Sequence, residues 1–409
     1  MKIRVCVIGL GYVGLPISIE VSKHFPFIGF DINEKRVSQL NRQIDINNEH
    51  RAKDLNNIKN LITNDSKNLN KYNFFIITVP TPINKRLKPD LNPLIMSFEL
   101  LKKIGIKKSI IVVESTVYPG LTESLFNKYF PKENKSGNKI GYSPERINPG
   151  DKINTIKKIP KIIAAQDKKT LLKIKDVYKK ISRNLVISNS IREAELAKSI
   201  ENTQRDINIA FINEIASLST KINCNIFHVL DLAKTKWNFL DFKPGMVGGH
   251  CIGVDPYYLK DMAKKIGFET KMITSGRDTN ERVLTTLEKK ILINSTSSHK
   301  ILFLGLTFKP NISDTRNSGS IKVIKSISKH RKNIYFEDKY VDLETIKKDI
   351  NIKKFNPEIK YDLIVYCVNH QYLIKVINKI SKNNIKDNTI FITMFSEKRN
   401  LFKNFINGY

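Results

Sequence analysis

Cysteine is scarce in this chain: there are four in 409 residues, and Cys6, Cys224, Cys251 and Cys367 form no Cys-x-x-Cys pair and follow no regular spacing. That pattern speaks against a disulfide framework and a zinc knuckle, so no bound metal is expected. Also missing is any apolar run approaching the roughly 20 residues needed to span a bilayer, and the chain starts on a strand rather than a charged-then-apolar leader. The expectation is a reducing, cytoplasmic setting without membrane insertion. Acidic residues are few, 39 Asp plus Glu against 70 Lys plus Arg, for a formal net charge of +31. Such an excess would normally suggest nucleic acid or an anionic surface. The basic residues form no single block with interleaved aromatics, however, but spread through helices and loops, as in Lys152 to Lys161 and Lys168 to Lys180. Abundant isoleucine and asparagine point to compositional drift, and no nucleic-acid partner is expected. A positive field would still gather a polyanionic nucleotide. No low-complexity linker and no short internal repeat interrupts the chain.

Lys2 to Ile8 reads as a short strand running into Gly9-Leu10-Gly11-Tyr12-Val13-Gly14. In such a fingerprint the first glycine permits a tight turn, the second lets the backbone touch a pyrophosphate and the third lets the next helix pack on the strand, with the helix N-terminus facing the phosphates. A second apolar strand, Phe27 to Phe30, ends in Asp31, placed to accept from a ribose 2′-hydroxyl and to repel a 2′-phosphate. NAD is therefore expected over NADP. Lys35 and Arg36 could serve a 2′-phosphate but read more simply as solvated helix residues; Arg36 is kept among the cofactor candidates.

Further strands follow at Phe74–Val79, stopped by Pro80-Thr81-Pro82, and at Ser109–Val113, followed by Glu114-Ser115-Thr116-Val117. Ligands of doubly wound sheets lie beyond the carboxyl ends of strands, which makes Pro80, Thr81 and Thr116 candidates, although a threonine there can equally be a turn or helix cap. Glu145 and Arg146 lie together in a turn-rich loop and, taken alone, resemble a surface ion pair. From Glu193 to about Ser219 an uninterrupted helical pattern places Lys198 and Asn202 four apart on one face, where a lysine and an amide can hold an oxyanion. Lys198 alone would read as solvated. Cys251 sits in Gly248-Gly249-His250-Cys251-Ile252-Gly253-Val254-Asp255. It is either a buried structural cysteine or a nucleophile flanked by glycines that let a substrate approach, with Asp255 one helical turn on to manage protons or water. A second strand-loop-helix unit starts at Lys300–Pro310, leads to Asp314-Thr315-Arg316, and continues with strands at Asp362–Val368 and Thr389–Thr393. The fold expected is α/β: two Rossmann-like doubly wound domains, 1–190 and 293–409, joined by a central helical region, 191–292, that carries the long helix.

These elements resemble one family over nearly the whole chain, the nucleotide-sugar 6-dehydrogenases, which include the UDP-glucose and GDP-mannose dehydrogenases. The shared pattern is GxGYVGLP, TVPTP, a PE loop, Lys and Asn four apart, GGxCxxxD, and FK followed by DxR, in that order. The stretches 141–151, 201–211 and 248–258 resemble the UDP-N-acetylhexosamine branch, whose uronic acids serve surface polysaccharides such as capsule or O-antigen, whereas UDP-glucose enzymes usually carry PEFL and GGxCLPKD. The resemblance implies a four-electron oxidation of a sugar C6 alcohol to a carboxylate with two NAD, for UDP-GlcNAc or UDP-GalNAc. It implies that Cys251 attacks the aldehyde, that Lys198 and Asn202 stabilise oxyanions at C6, that Asp255 with Thr116 positions water, and that Glu145 assists hydrolysis. It implies further that Gly249 and Lys309 meet the UDP-sugar and Arg316 the NAD. Arg146 and Arg205 depart from the glucose enzymes and are candidates for reading the N-acetyl group. A homodimer or higher homo-oligomer through the central helix is expected. The rivals are a UDP-glucose or GDP-mannose enzyme, a two-electron hydroxyacid-type dehydrogenase that needs no cysteine, and a basic binding protein.

Overall fold

The structure is a computed structural model that describes residues 2–47, 49–84, 86–131, 135–147, 153, 155–347, 350–395 and 401–409. It divides into two compact units, one holding the chain up to Glu201 together with Tyr257–Phe268, the other holding Asn202–Pro256 and Glu269–Tyr409.

The first unit is built on β1 (Val5–Ile8), α1 (Gly14–Ser22), β2 (Phe27–Phe30), α2 (Glu34–Asn41), β3 (Ile62–Thr63), β4 (Phe74–Ile77), α3 (Asn92–Lys103), β5 (Ile110–Val113), α4 (Leu121–Tyr129), β6 (Lys139–Tyr142), β7 (Lys161–Ala165), α5 (Lys168–Tyr178) and β8 (Leu185–Ile187). Its strands are ordered β3-β2-β1-β4-β5-β6-β7-β8, parallel throughout except at β6–β7. The central runs Val-Cys-Val-Ile, Phe-Phe-Ile-Ile and Ile-Ile-Val-Val are buried at every position. Continuous apolar strands of this kind are required when helices cover both faces of a sheet. Two cores result, with Val5, Val7, Phe74 and Ile76 on one face and Cys6, Ile8, Phe75 and Ile77 on the other. Cys6 is thus a packing residue, as its apolar run implies. The order reverses between β1 and β4, so a crevice opens beyond their carboxyl ends.

Next in the chain come α6 (Ile191–Lys221), α7 (Ile226–Ala233), α8 (Asp255–Lys265) and α9 (Lys271–Ile293). The long helix foreseen from Glu193 to Ser219 is present and extends slightly further at both ends. In the second unit, Ile212 and Ala216 of α6 pack with Ile226 and Leu230 of α7 and with Val283 and Leu287 of α9 against the second sheet. That sheet comprises β9 (Ile301–Leu304), β10 (Ile334–Glu337), β11 (Lys353–Lys354), β12 (Tyr361–Tyr366), β13 (Ile385–Thr393) and β14 (Asn404–Asn407), with α10 (Gly319–Ile327), α11 (Leu343–Lys347) and α12 (Leu373–Asn383). Its order, β11-β10-β9-β12-β13-β14, repeats that of the first six strands of the other sheet, and every pairing is parallel. The repeat is one of topology, invisible as sequence similarity. The sequence suggested Thr389–Thr393 as the last strand, but β14 follows it, a four-residue edge strand, Asn-Phe-Ile-Asn, too short to stand out. Among the described residues no helix is long and apolar enough to cross a membrane.

One glycine fixes the β1–α1 corner. A Cβ on Gly14 would collide with the Gly9 carbonyl oxygen and Thr78 Oγ1, whereas one on Gly11 would meet nothing within 4 Å. Gly14→Ala is therefore expected to destabilise the protein by about 1–3 kcal/mol through overpacking, while Gly11→Ala leaves stability within about 0.5 kcal/mol. Parallel thermal or denaturant unfolding of the two variants checks this.

Candidate active site

In the first unit the fingerprint loop is tied to its neighbours by polar contacts that follow from the β1–β2 and β1–β4 pairing. Thr78, just past β4, donates its hydroxyl to the Ile8 and Gly9 carbonyls at 3.0 and 2.6 Å. Asp31, at the end of β2, accepts from the Leu10 N–H at 2.8 Å and from the Asn33 N–H at 2.9 Å, and remains half-exposed. Tyr12 and Val13 lie half-buried where the loop enters α1. Arg36 is not a solvated helix residue: it is buried, donates its Nε to the Leu10 carbonyl at 2.9 Å, and pairs with Asp45 at 2.9 Å. It braces the glycine loop from behind, because α2 packs there and the guanidinium reaches a carbonyl the turn leaves unpaired. On the other side of the crevice, Thr81 Oγ1 donates to the Thr116 carbonyl at 2.8 Å, Ser115 Oγ to the Val79 carbonyl at 2.7 Å, and the Tyr258 hydroxyl to the Thr81 carbonyl at 2.8 Å. The ends of β4 and β5 are thereby stapled, with Pro80 exposed beside them. Open space at Gly11, N–H groups at the start of α1 and an accessible carboxylate at Asp31 fit a dinucleotide.

The corresponding corner of the second sheet does not fit one. Leu306 N–H donates to Asp338 at 2.7 Å, just as Leu10 does to Asp31, but Asp338 is buried under His370, whose Nε2 lies 3.0 Å from the carboxylate and 3.1 Å from Thr307 Oγ1. Burial alone would raise the Asp338 carboxyl, yet the bonds from His370 and the Leu306 N–H bring it below its ordinary value. Where the first sheet leaves its acid half-exposed, the second has engaged it internally.

Beyond β5 and β6 lies a cluster that sequence reasoning missed. Lys161 is fully buried at the start of β7; its ammonium donates to Glu114 and, at 2.8 Å, to Glu145. The Tyr178 hydroxyl of α5 donates to the other Glu114 oxygen at 2.5 Å, and the second Glu145 oxygen accepts the N–H groups of Arg146 and Ile147 at 2.6 and 2.5 Å. Burial pushes the Glu114 carboxyl up to about 7 despite Lys161. Burial would raise Glu145 too, but the charge and hydrogen bond of Lys161 and the two backbone donors take it below the ordinary range. Glu145 and Arg146 are not a surface pair: Arg146 turns to Glu201 of α6 at 2.8 Å and to the Pro160 carbonyl at 3.1 Å. Residues 148–151, the rest of the motif starting at Gly141, lie outside the described residues. The available signal was a lysine immediately ahead of an apolar run, Lys161-Ile162-Ile163-Ala164-Ala165.

On α6, Glu195 is buried and accepts the N–H groups of Gly120 and Thr122 at 2.5 and 3.0 Å, capping α4, while Ser199 Oγ donates to the Val117 carbonyl at 3.3 Å. Lys198, three residues after Glu195, is buried as well.

In the second unit Cys251 is exposed, which removes the reading of a buried structural thiol. Its carbonyl accepts the N–H groups of Val254 and Asp255 at 3.1 and 2.9 Å, so that Asp255 stands one turn away. Asp255 is buried and accepts from Asn202 Nδ2 at 2.6 Å; the amide paired with Lys198 by sequence is thus also joined to the carboxylate. Gly249 has φ +81°, and its Cβ would approach the Phe308 ring to 2.7 Å, while a Cβ on Gly248 would meet the Asn317 carbonyl oxygen at 2.8 Å. Both glycines press the cysteine loop against the loop after β9, where Asn317 Nδ2 donates to the Gly249 carbonyl at 3.1 Å. In that loop Lys309 is half-buried, and Arg316 donates Nε and Nη2 to Asp314 at 2.9 and 2.6 Å. Burial and the Arg316 charge push the His250 imidazole down to about 4, keeping it neutral. Arg205 is exposed on α6. Among the described residues no group of His, Cys, Asp and Glu could hold a metal ion.

Comparisons with known proteins agree with this two-sheet architecture. Family models of the UDP-glucose/GDP-mannose dehydrogenases match in three consecutive parts: the NAD binding domain over residues 3–182, the central domain over 192–282 and the UDP binding domain over 302–394. UDP-N-acetyl-D-glucosamine 6-dehydrogenase of Salmonella typhi is 40% identical over 394 residues, covering 90% of each chain. Protein CapL of Staphylococcus aureus is 39% identical over 384 residues, covering 91% of each. Among solved structures, a UDP-D-ManNAc dehydrogenase from Pyrococcus horikoshii matches with a TM-score of 0.84 at 27% identity, covering 99% of each chain. The chain belongs to the UDP-glucose/GDP-mannose dehydrogenase family and is an NAD-dependent nucleotide-sugar dehydrogenase.

Proposed function

We propose that the enzyme oxidises the C6 hydroxyl of a UDP-N-acetylhexosamine, UDP-GlcNAc or UDP-GalNAc, to the carboxylate through a covalent adduct on Cys251. The observation that carries the proposal is an exposed thiol one turn ahead of a buried carboxylate, Asp255, that is itself hydrogen-bonded to Asn202. The 40% identical relative named for UDP-N-acetyl-D-glucosamine supports the sugar class. Gly9, Gly11, Tyr12, Val13, Gly14, Asp31, Pro80, Thr81 and Thr116 form the cofactor site, with Arg36 bracing it, and Arg316 is assigned to NAD as well. NAD, when bound, supplies the hydride acceptor twice per substrate. Cys251 Sγ adds to the C6 aldehyde as a thiohemiacetal, whose oxidation leaves a thioester that water cleaves. Lys198 and Asn202 stabilise the oxyanions at C6, Asp255 and Thr116 position water, and Glu145 accepts its proton. Gly249 and Lys309 contact the UDP-sugar, and Arg146 and Arg205 read the N-acetyl group.

We divide the labour among residues 1–190 for the cofactor, 191–292 for catalysis and dimerisation and 293–409 for UDP. Self-association is supported by Phe211 and Leu218 on α6 and Ile222 immediately after it, which are 59%, 51% and 60% exposed. The product is a uronic acid for a surface polysaccharide, made in the cytoplasm.

UDP-GlcNAc or UDP-GalNAc should yield two NADH per sugar, with UDP-glucose and GDP-mannose poorer substrates; one NADH per sugar would indicate a two-electron enzyme. With Cys251→Ser, turnover should stop after the first oxidation or leave an ester on the protein detectable by mass, and full conversion to uronate would exclude the covalent route. Asp31→Ala should erode the preference for NAD over NADP by about tenfold or more, the worth of a charge-assisted hydrogen bond, as measured by kcat/KM for the two cofactors.

A further inference from the structure

A lysine buried between two carboxylates is expensive to maintain, and replacing such a triad by apolar side chains is often neutral or stabilising. Stability alone therefore gives no reason for Lys161, Glu114 and Glu145 to occupy one interior site. Their geometry supplies a different one. All four carboxylate oxygens are engaged: Glu114 by Lys161 and the Tyr178 hydroxyl, Glu145 by Lys161 on one oxygen and by the N–H groups of Arg146 and Ile147 on the other. Rotation of the Glu145 carboxylate would break contacts at both ends. The groups facing it come from every neighbouring element: Glu114 from the end of β5, Lys161 from β7, and Tyr178 from α5 behind Glu114. Arg146, next in the chain, is drawn off by Glu201 of α6.

We infer that Lys161, backed by Glu114 and Tyr178, is the positioning group that keeps the Glu145 carboxylate ionised and in one orientation for catalysis. The inference rests on the proposed role of Glu145 in hydrolysis. Three ionised groups would leave the cluster with one surplus negative charge in a dry site. The upward displacement of Glu114 and the downward displacement of Glu145 place the shared proton on Glu114, the carboxyl further from the chemistry. Glu114 is therefore neutral where Glu145 titrates, and the charge of Lys161 acts on Glu145 undivided.

The signs can be tested with full-length enzyme by recording kcat for NADH formation against pH. A carboxylate acting as proton acceptor loses activity as pH falls through its pKa. Lys161→Met removes the cation that lowers Glu145, so the acid limb should climb by about one pH unit or more, an approximately tenfold loss of kcat at a pH on that limb. Glu114→Gln keeps size and mimics the protonated Glu114, so in that variant the limb should stay where it is in the wild type. A limb raised in Lys161→Met and unmoved in Glu114→Gln, with KM for NAD unchanged, supports the inference, because a purely structural role would lower activity without moving the limb. An acid limb that stays in place in Lys161→Met overturns it. Should Lys161→Met fail to fold, Lys161→Gln, which keeps a polar donor toward both carboxylates, is measured in its place: a raised limb supports the inference, and an unmoved one overturns it. Glu145→Gln separates the two levels. Wild-type kcat in that variant refutes the role of Glu145 itself, whereas a depressed kcat with an unmoved limb in the Lys161 variant refutes only the positioning by Lys161.

Discussion

The buried polar side chains of α6 impose a constraint that the surrounding loops satisfy. Glu195, Ser199, Asn202, Asp206 and Asn213 recur at intervals of four, three, four and seven, which places them along one face of the helix, and all are buried. A buried donor or acceptor left unpaired costs about 1–3 kcal/mol, so each must find a partner. Glu195 holds the start of α4, Ser199 the turn after Thr116, Asn202 the Asp255 carboxylate and Asp206 the Arg277 guanidinium at 2.6 Å. Asn213 exchanges two hydrogen bonds with the Gly245 backbone, at 3.0 and 2.8 Å, ahead of the cysteine loop. Satisfying the helix therefore places the segment that carries Thr116 within the first unit and, within the second, those that carry Asp255 and Cys251. The same helix leaves an apolar stripe outside, so one element both organises the polar interior and offers the surface proposed for self-association.

The two sheets show how one topology is put to different uses by a few side chains. Both have an acid at the end of their second strand that accepts an N–H from the residue after the first loop glycine. In the first sheet that acid stays half-exposed beside an open Gly11. In the second, His370 and Thr307 close over it, and the loop runs Leu306-Thr307-Phe308-Lys309 with no further glycine. Topology alone would allow a dinucleotide at either corner; desolvation of Asp338 leaves it only at the first. Fold and function separate at the level of which polar groups remain unspent.

Much of this was legible in the chain. Motifs that act through local backbone geometry declare themselves locally: Gly9 to Gly14 needs no partner to be recognised, and the break-free pattern around Lys198 and Asn202 gives the helix directly. The strands were equally plain because both faces are covered and their apolar runs are continuous. What stayed hidden were charges whose meaning depends on distant partners. Arg36 looks like any exposed helix residue until Leu10 and Asp45 surround it. Lys161 looks like one more lysine in a basic stretch until Glu114, 47 residues away, meets it. The strand β14 was missed because four residues, Asn-Phe-Ile-Asn, are too few to show an alternation.

The excess of lysine obscures function for the same physical reason that it makes Lys161 informative. An exposed lysine in a chain of net charge +31 interacts weakly with anything and is screened within about 10 Å at ordinary salt. Drift can therefore add such residues at little cost. A buried lysine has no such freedom, since its charge must be matched by carboxylates brought in from other elements. In a strongly basic protein the lysines worth questioning are those with acidic neighbours and no access to water. Lys161 meets both conditions, which is why the cluster it organises, rather than the overall charge, is the one to which a role in catalysis is assigned in the proposal.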